Sequence, residues 1–338
     1  MLYNEVMAQA PTVTVILPVL DAADDIEDLL KSLQAQEGID KSHIEVLLVN
    51  DGSHDSTLDV VEQNKYLLQD FASFRTISHE RREGLARTRL DGARSAKGKF
   101  ITFIDKKCRP DTDYLSSFVQ KGRNIVIGSP YTDKGKGIWT RALSLVKMKL
   151  YYPYFNHPFE DIELDSEAYA KFKNKGGGGS MFVLREYFLD VSKNMSTGVH
   201  VNDDSLLISE LSNIEPILKT ADAKIEYLNR TGFIENIVHL YNRGPKFVDF
   251  YAKPGRRFFV PIVLLVVLLL LNIAMLIVNP VFVLYELIAI VVLSFVAALY
   301  LANDVDDFFA ALIIAPLSLF VFSAGVVRGV ILKLSGKI

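Results

Sequence analysis

Three short runs in the first third of the chain are mainly apolar: residues 12–21, with Pro18 near its end, 44–50, and 100–104, which shows no polar alternation. Each is rich in β-branched and aromatic residues. Runs of this kind read as strands covered on both faces, as in a parallel sheet. Between them the apolar positions change period. Ile26, Leu29, Leu30 and Leu33 recur at helical spacing and predict an amphipathic helix within residues 22–36. Residues 57–68 and 85–95 read as a second and third helix, and residues 75–78 as an edge strand. Strand and helix alternate, which predicts an α/β domain with a mostly parallel sheet and right-handed crossovers. Further on, residues 113–120 read as a helix and 125–129 as a strand. Residues 135–152 are basic and aromatic and hold the only tryptophan, Trp139, whereas residues 153–175 are polar and show no period.

The pattern changes at the other end. Residues 258–278 are almost wholly apolar, 281–302 are interrupted only by Glu286, and 308–327 form a third such run. Each approaches or exceeds the ~20 residues that cross a bilayer as a helix. Residues 260–271 lack the polar stripe that a core helix shows. The expected organisation is a catalytic-type domain over 1–250, followed by an all-α membrane domain over 251–338 with about three transmembrane or re-entrant helices. Lys253, Arg256 and Arg257 stand just before the first run, and positive charge there predicts a cytoplasmic first domain. Three full spans would place Lys333 and Lys337 outside, against the same rule, unless one segment is re-entrant.

Composition narrows the function. The net charge is −3 and no basic cluster is interleaved with aromatics, so nucleic acid is not an expected partner. The single cysteine, Cys108, excludes an intrachain disulfide and fits a reducing compartment. Residues 1–11 lack a basic stretch followed by an apolar core, so no signal peptide is expected. The histidines show no metal-ligand spacing.

The candidate chemistry sits at strand ends, where ligands gather in open α/β sheets. Asp105 ends the run 100–104. Asp51 opens the acidic turn Asp51-Gly52-Ser53-His54-Asp55-Ser56-Thr57. Both also suit plain turn caps. Asp203 and Asp204 are adjacent carboxylates, which raise one another's pKa and suit a general base. They suit equally an N-cap for a helix over 205–211.

In order and spacing, these stretches resemble the family 2 glycosyltransferases, inverting enzymes of the GT-A fold. The resemblance covers residues 12–255. The family shows a Pro-x-x-Asn end to the first strand, an Asp-Gly-Ser-x-Asp-x-Thr turn, an Arg-bearing helix and a Phe-x-Asp-x-Asp strand end. It implies that Asp51 reads the nucleobase, with Pro18 and Asp21 shaping the same pocket; Asp21 stands where the family usually has Asn. It implies that Arg89 faces the diphosphate, with Arg87 and Arg94 solvated. Asp105 matches the first carboxylate of Asp-x-Asp, but Lys107 replaces the second. A divalent cation, Mg²⁺ or Mn²⁺, would then be held only through Asp105 and substrate phosphates. Alternatively Lys106 or Lys107 supplies the charge, or catalysis is lost. Asp204, beside Asp203, is the implied base. Arg243 is a further candidate for the diphosphate. The Gln-x-x-Arg-Trp motif of processive relatives is replaced by Tyr241-Asn242-Arg243-Gly244-Pro245, which argues against a polymerase. Residues 176–180, Gly-Gly-Gly-Gly-Ser, read as a flexible linker or as the Gly-rich turn that family members carry before a Phe-x-x-Arg-Glu segment.

The resemblance implies a membrane-anchored enzyme that moves one sugar from a UDP- or GDP-sugar to a lipid-linked acceptor, a polyprenyl phosphate or lipid-linked saccharide. Its setting would be glycan or polysaccharide biosynthesis. The rival is a non-catalytic nucleotide-sugar-binding membrane protein with a degenerate metal site. A transporter subunit is disfavoured, because the apolar runs carry almost no polar residues to line a path.

Overall fold

The structure is a computed structural model. It describes residues 12–133, 135, 137–155, 159–172, 178–193, 195, 204–230, 232–256, 258–279 and 281–336. These fall into two compact units. The first lies within 12–132, 153–195 and 204–228, and the second within 133–152 and 229–336.

The first unit is built on one mixed sheet. Its strands are β1 (Val13–Val19), β2 (Ile44–Asn50), β3 (Ser73–Ser78), β4 (Phe100–Phe103), β5 (Cys108–Pro110), β6 (Ile125–Tyr131), β7 (Ile162–Leu164), β8 (Met181–Leu184) and β9 (Ile217–Tyr227). Their order is β3-β2-β1-β4-β8-β6-β9-β5, with β7 on β9. The parallel sheet expected from the alternation runs through β3, β2, β1 and β4, with β3 at the edge. Beyond β4 the sheet is mixed, because β8 runs antiparallel to both β4 and β6. Pro18 is tolerated inside β1 because the ladder to β4 stops at Ile16 and Phe103. Its missing N–H therefore breaks no bond on that side.

Helices α1 (Ile26–Gln34), α2 (Thr57–Asn64), α3 (Leu85–Ser95), α4 (Tyr114–Gln120), α6 (Ser166–Lys171), α7 (Arg185–Ser192) and α8 (Asp204–Leu211) cover the sheet, while α5 (Ile138–Leu150) belongs to the second unit. α1 is shorter than the expected 22–36, yet it buries the four residues that predicted it. The expected second helix divides into α2 and a 3₁₀ turn, Lys65–Leu68. One apolar core forms on each face of the sheet.

A buried carboxylate ties the parallel strands together. Glu45 on β2 accepts from the Thr14 hydroxyl of β1 at 2.7 Å, from Arg75 of β3 at 2.6 and 2.8 Å, and from the Lys97 N–H at 2.8 Å. The Lys97 bond lies just before β4, so one side chain fixes the spacing of four strands.

The second unit is helical: α5, α9 (Phe233–Tyr251), α10 (Phe259–Val278), α11 (Phe282–Leu301) and α12 (Val305–Leu334). Its C-terminal part runs from Asn229, and it also takes in the basic, aromatic stretch around Trp139. The three apolar runs become α10, α11 and α12. Two stretches, Leu284–Leu301 and Val305–Leu334, are long and apolar enough to cross a membrane, and α10 contributes the shorter apolar stretch Phe259–Asn272. Glu286 on α11 accepts from Asn272 on α10, so this polar pair satisfies itself. α5 packs Trp139 and Ala142 against Ala310 and Ile314 of α12. Arg141 anchors it further, at 3.0 Å from Asp307 and 3.3 Å from Asp304.

Candidate active site

The candidate site lies at the carboxyl ends of β1, β2 and β4, and it begins with a strained residue. Asp21 has φ +46°, a left-handed conformation that Asp and Asn accept more readily than other side chains. That preference explains why Asp can stand where the family has Asn. The Asp21 carboxylate accepts from the His54 N–H at 2.8 Å, and its own N–H donates to Ser53 Oγ at 3.0 Å. The Ala22 N–H donates to Thr57 Oγ1 and the Ala23 N–H to Asp55. The acidic turn after β2 is thereby stitched to the loop after β1. Gly52 at φ +73° is required there, because a Cβ would sit 2.7 Å from the Arg81 backbone.

Asp51 is buried, and its carboxylate organises a loop that sequence reading did not connect to it. Oδ1 accepts from the Glu83 N–H at 2.8 Å and lies 3.0 Å from His79 Nδ1. Oδ2 accepts from the Gly84 N–H at 3.0 Å. His79 also stands 3.3 Å from Asp91 through Nε2. Asp51 thus bonds residues 79–84, whereas the local turn is bonded by Asn50, whose Oδ1 accepts from the Ser53 N–H at 3.0 Å; Asp51 Oδ2 keeps acceptor capacity for a further donor. The only sequence signal for His79 was its place just after the edge strand.

Arg89, on α3, is 2 % exposed. Its Nη2 lies 3.0 and 3.3 Å from the two oxygens of Asp105, and its guanidinium sits over the Phe103 ring at 5.6 Å. The Gly-rich segment closes on this pair. Gly178–Ser180 form a 3₁₀ turn leading into β8. A Cβ on Gly179 would come within 2.9 Å of Asp105 Oδ2. A side chain there would press on the end of the Asp105 side chain, and the described part of the segment is a packed turn in which Ser180 is buried; residues 176 and 177 lie outside the described residues.

The two lysines are placed elsewhere than the diphosphate reading expects. Lys107 Nζ pairs with Asp25 at 3.0 Å, and Lys106 Nζ donates to the Leu20 carbonyl at 2.6 Å and to that of Asp21. Arg109 Nη2 donates to the Asp25 carbonyl at 2.9 Å. These cations fasten the loop after β1 onto the segment after β4. Asp25 was not singled out from the sequence, since its partner lies far along the chain. Burial pushes the Cys108 thiol up, so it is no nucleophile.

Asp203 lies outside the described residues, and Asp204 is the first residue of α8. Arg243 lies on α9, in the second unit. Among the described residues no group of three or more His, Cys, Asp or Glu side chains is placed to hold a metal ion. After β4, Asp105 pairs with Arg89, and Lys107 stands where the family has a second carboxylate. The described donor set does not fit a divalent cation held by protein side chains alone.

Residues 14–185, just over half of the chain, match the family described as glycosyl transferase family 2. The glycosyltransferase EpsH of Bacillus subtilis (strain 168) is 32 % identical over 112 residues, which is 33 % of this chain and 30 % of that protein. The chain thus spans about a third of the length of this relative. The mannosyltransferase PcManGT from Pyrobaculum calidifontis, solved with GDP-Man and Mn²⁺, superposes with a TM-score of 0.59 at 14 % identity, over 99 % of this chain and 93 % of that one. S. aureus TarS 1–349, solved with UDP-GlcNAc, superposes at 0.51 and 16 % identity over 70 % and 67 %. At these identities the two structures speak for the fold. A sheet closed by a buried Arg–carboxylate pair and an acidic turn agrees with the sequence match, and the chain belongs to glycosyl transferase family 2.

Proposed function

We propose that the chain transfers one sugar, with inversion, from a UDP- or GDP-sugar to a lipid-linked acceptor. The observation that carries this reading is the arrangement of Asp51, Arg89, Asp105 and Gly179 at adjacent strand ends, in a chain that also holds two helices apolar enough to cross a membrane. Asp51 Oδ2 accepts a donor N–H from the base. Arg89, held by Asp105, faces the diphosphate. The bare backbone at Gly179 lets the sugar approach. Asp204 takes the proton of the acceptor hydroxyl. The oxygen then attacks the anomeric carbon opposite the nucleotide, and the carbon–oxygen bond to the diphosphate breaks, its electron pair leaving with the nucleotide.

Lys106 and Lys107 hold the loop after β1 in place, which leaves the charge compensation to Arg89. The acceptor is a polyprenyl phosphate or a lipid-linked saccharide, since α11 and α12 would keep the catalytic unit at the headgroups. Lys253 and Arg256 before α10 favour a cytoplasmic catalytic unit. Binding of UDP, GDP and their sugars to the purified full chain, read by calorimetry, tests the donor half. One nucleotide series should bind clearly and the other weakly. No binding by either would contradict the reading.

A further inference from the structure

The surroundings of Asp51 decide which base it can meet. A carboxylate offers about four lone-pair directions, and it only accepts. Three of them are taken here. Oδ1 accepts from the Glu83 N–H at 2.8 Å and faces His79 Nδ1 at 3.0 Å, and Oδ2 accepts from the Gly84 N–H at 3.0 Å. Because an ionised carboxylate cannot donate, the ring hydrogen at this contact sits on Nδ1. Oδ1 is thereby saturated, and one acceptor direction is left on Oδ2.

His79 is itself fixed. Its backbone N–H donates to the Asn50 carbonyl at 2.9 Å, which carries the β2–β3 ladder one residue past Ser78. Its Nε2 stands 3.3 Å from Asp91 Oδ2 on α3, and Arg87 Nε pairs with that same oxygen at 2.6 Å. The His79 side chain is 14 % exposed and bridges a carboxylate on either side. A strand end and a helix together hold the imidazole, and the imidazole holds the Asp51 carboxylate in one orientation.

We propose that His79 is a positioning residue that sets base specificity, so that the site takes a uridine nucleotide in preference to a guanosine nucleotide. This preference rests on the reading of Asp51 as the residue that meets the base, and it separates the two nucleotides which that reading allows. Uracil presents one ring N–H, at N3, between two carbonyls. Guanine presents N1–H and its 2-amino group side by side. A carboxylate meets both of those only with a lone pair on each oxygen. Oδ1 has none to offer, so one guanine N–H goes unmet at the carboxylate, and an unmet buried N–H weakens binding.

The test is calorimetry on the full chain in detergent with UDP, GDP and N3-methyl-UDP, in which a methyl group replaces the hydrogen that Oδ2 accepts. UDP should bind roughly tenfold or more tightly than either of the others. His79→Leu removes the Nδ1 donor and should weaken UDP by roughly tenfold while GDP stays within about threefold, so the preference collapses. His79→Asn places an N–H where Nδ1 stands and should bring UDP back to within about threefold of the parent. His79→Gln, whose amide reaches toward Asp91 instead, should not. A merely structural role would weaken both nucleotides together and would not separate Asn from Gln. If the Leu variant misfolds, the three nucleotides on the parent chain still decide the preference.

GDP bound as tightly as UDP, N3-methyl-UDP equal to UDP, or an unchanged ratio in folded His79→Leu would each overturn the proposal. Preference for GDP would do so and leave the proposed function standing, since a GDP-sugar is one of its two donors. Binding of neither nucleotide would contradict that function and this preference with it. UDP binding without transfer of its sugar would refute the function and not the role of His79.

Discussion

Asp51 shows what a single residue does in this fold. Its carboxylate holds residues 79–84 through two backbone N–H groups and His79, and it still offers Oδ2 to a base. Asp51→Ala should therefore weaken nucleotide binding by roughly tenfold or more, whatever the sugar, since a charge-assisted hydrogen bond and its supporting loop are lost together. Calorimetry with free UDP and GDP checks this, and equal affinity in the variant would leave Asp51 a structural residue only. Asp105 leads to a second expectation. With Asp105 paired to Arg89 and Lys107 standing where the family has a second carboxylate, transfer should survive EDTA to a substantial degree. Complete loss, restored by Mn²⁺ or Mg²⁺, would show a cation held by Asp105 and the phosphates. That Asp51 and Asp105 follow strands and that Arg89 lies on a helix was legible in the sequence, because short motifs mark strand ends. The partner of Lys107 was not, because Asp25 is 82 positions away and only the folded sheet brings them together.

At the scale of elements, Glu45 makes the parallel strands a unit. Burial pushes its carboxyl up, but bonds from the Lys97 N–H, Thr14 and Arg75 outweigh that and hold it below the ordinary range. A depressed carboxylate stabilises the fold above its unfolded pKa, and that stability is lost as pH falls through the folded value. Glu45→Gln should lower stability by about 2 kcal/mol near neutral pH and flatten the acid dependence. Thermal unfolding of the full chain in detergent at neutral and acidic pH measures both. A variant as stable as the parent, with the same acid profile, would remove Glu45 from this role. In the second unit, α9 and α12 approach through glycines. A Cβ on Gly329 would lie 2.8 Å from Pro245 Cα, and one on Gly244 would overlap the Gly325 backbone. Gly329→Val should cost about 1–3 kcal/mol by overpacking, seen as a lowered melting temperature. Helices α1 to α4 were legible in the sequence, whereas α5, α6 and α7 were not. The direction of β8 was not, because residues 153–175 carry no pattern that fixes a strand's sense. The membership of α9 in the second unit was equally hidden, since its amphipathic pattern names a buried face but not the neighbour that covers it.

At the scale of the whole molecule, the sequence separates a sheet-forming part, 1–250, from an apolar helical part, 251–338, and the second compact unit takes in residues from Asn229 onward. Full-length protein should stay with membranes through alkaline carbonate washing, because Leu284–Leu301 and Val305–Leu334 meet the length and apolarity of a span. Release by carbonate would contradict anchoring by these helices. The central claim joins the two units in one reaction, transfer of a sugar from a nucleotide to a lipid. It is tested by incubating the reconstituted full chain with radiolabelled UDP- and GDP-sugars and a membrane lipid extract, beside Asp204→Asn. The account predicts that label enters the organic phase with one donor, and that the variant loses about 10²–10⁴-fold in rate while binding nucleotide within a few-fold of the parent. Donor binding with no label in any lipid fraction, or full activity in Asp204→Asn, would contradict it.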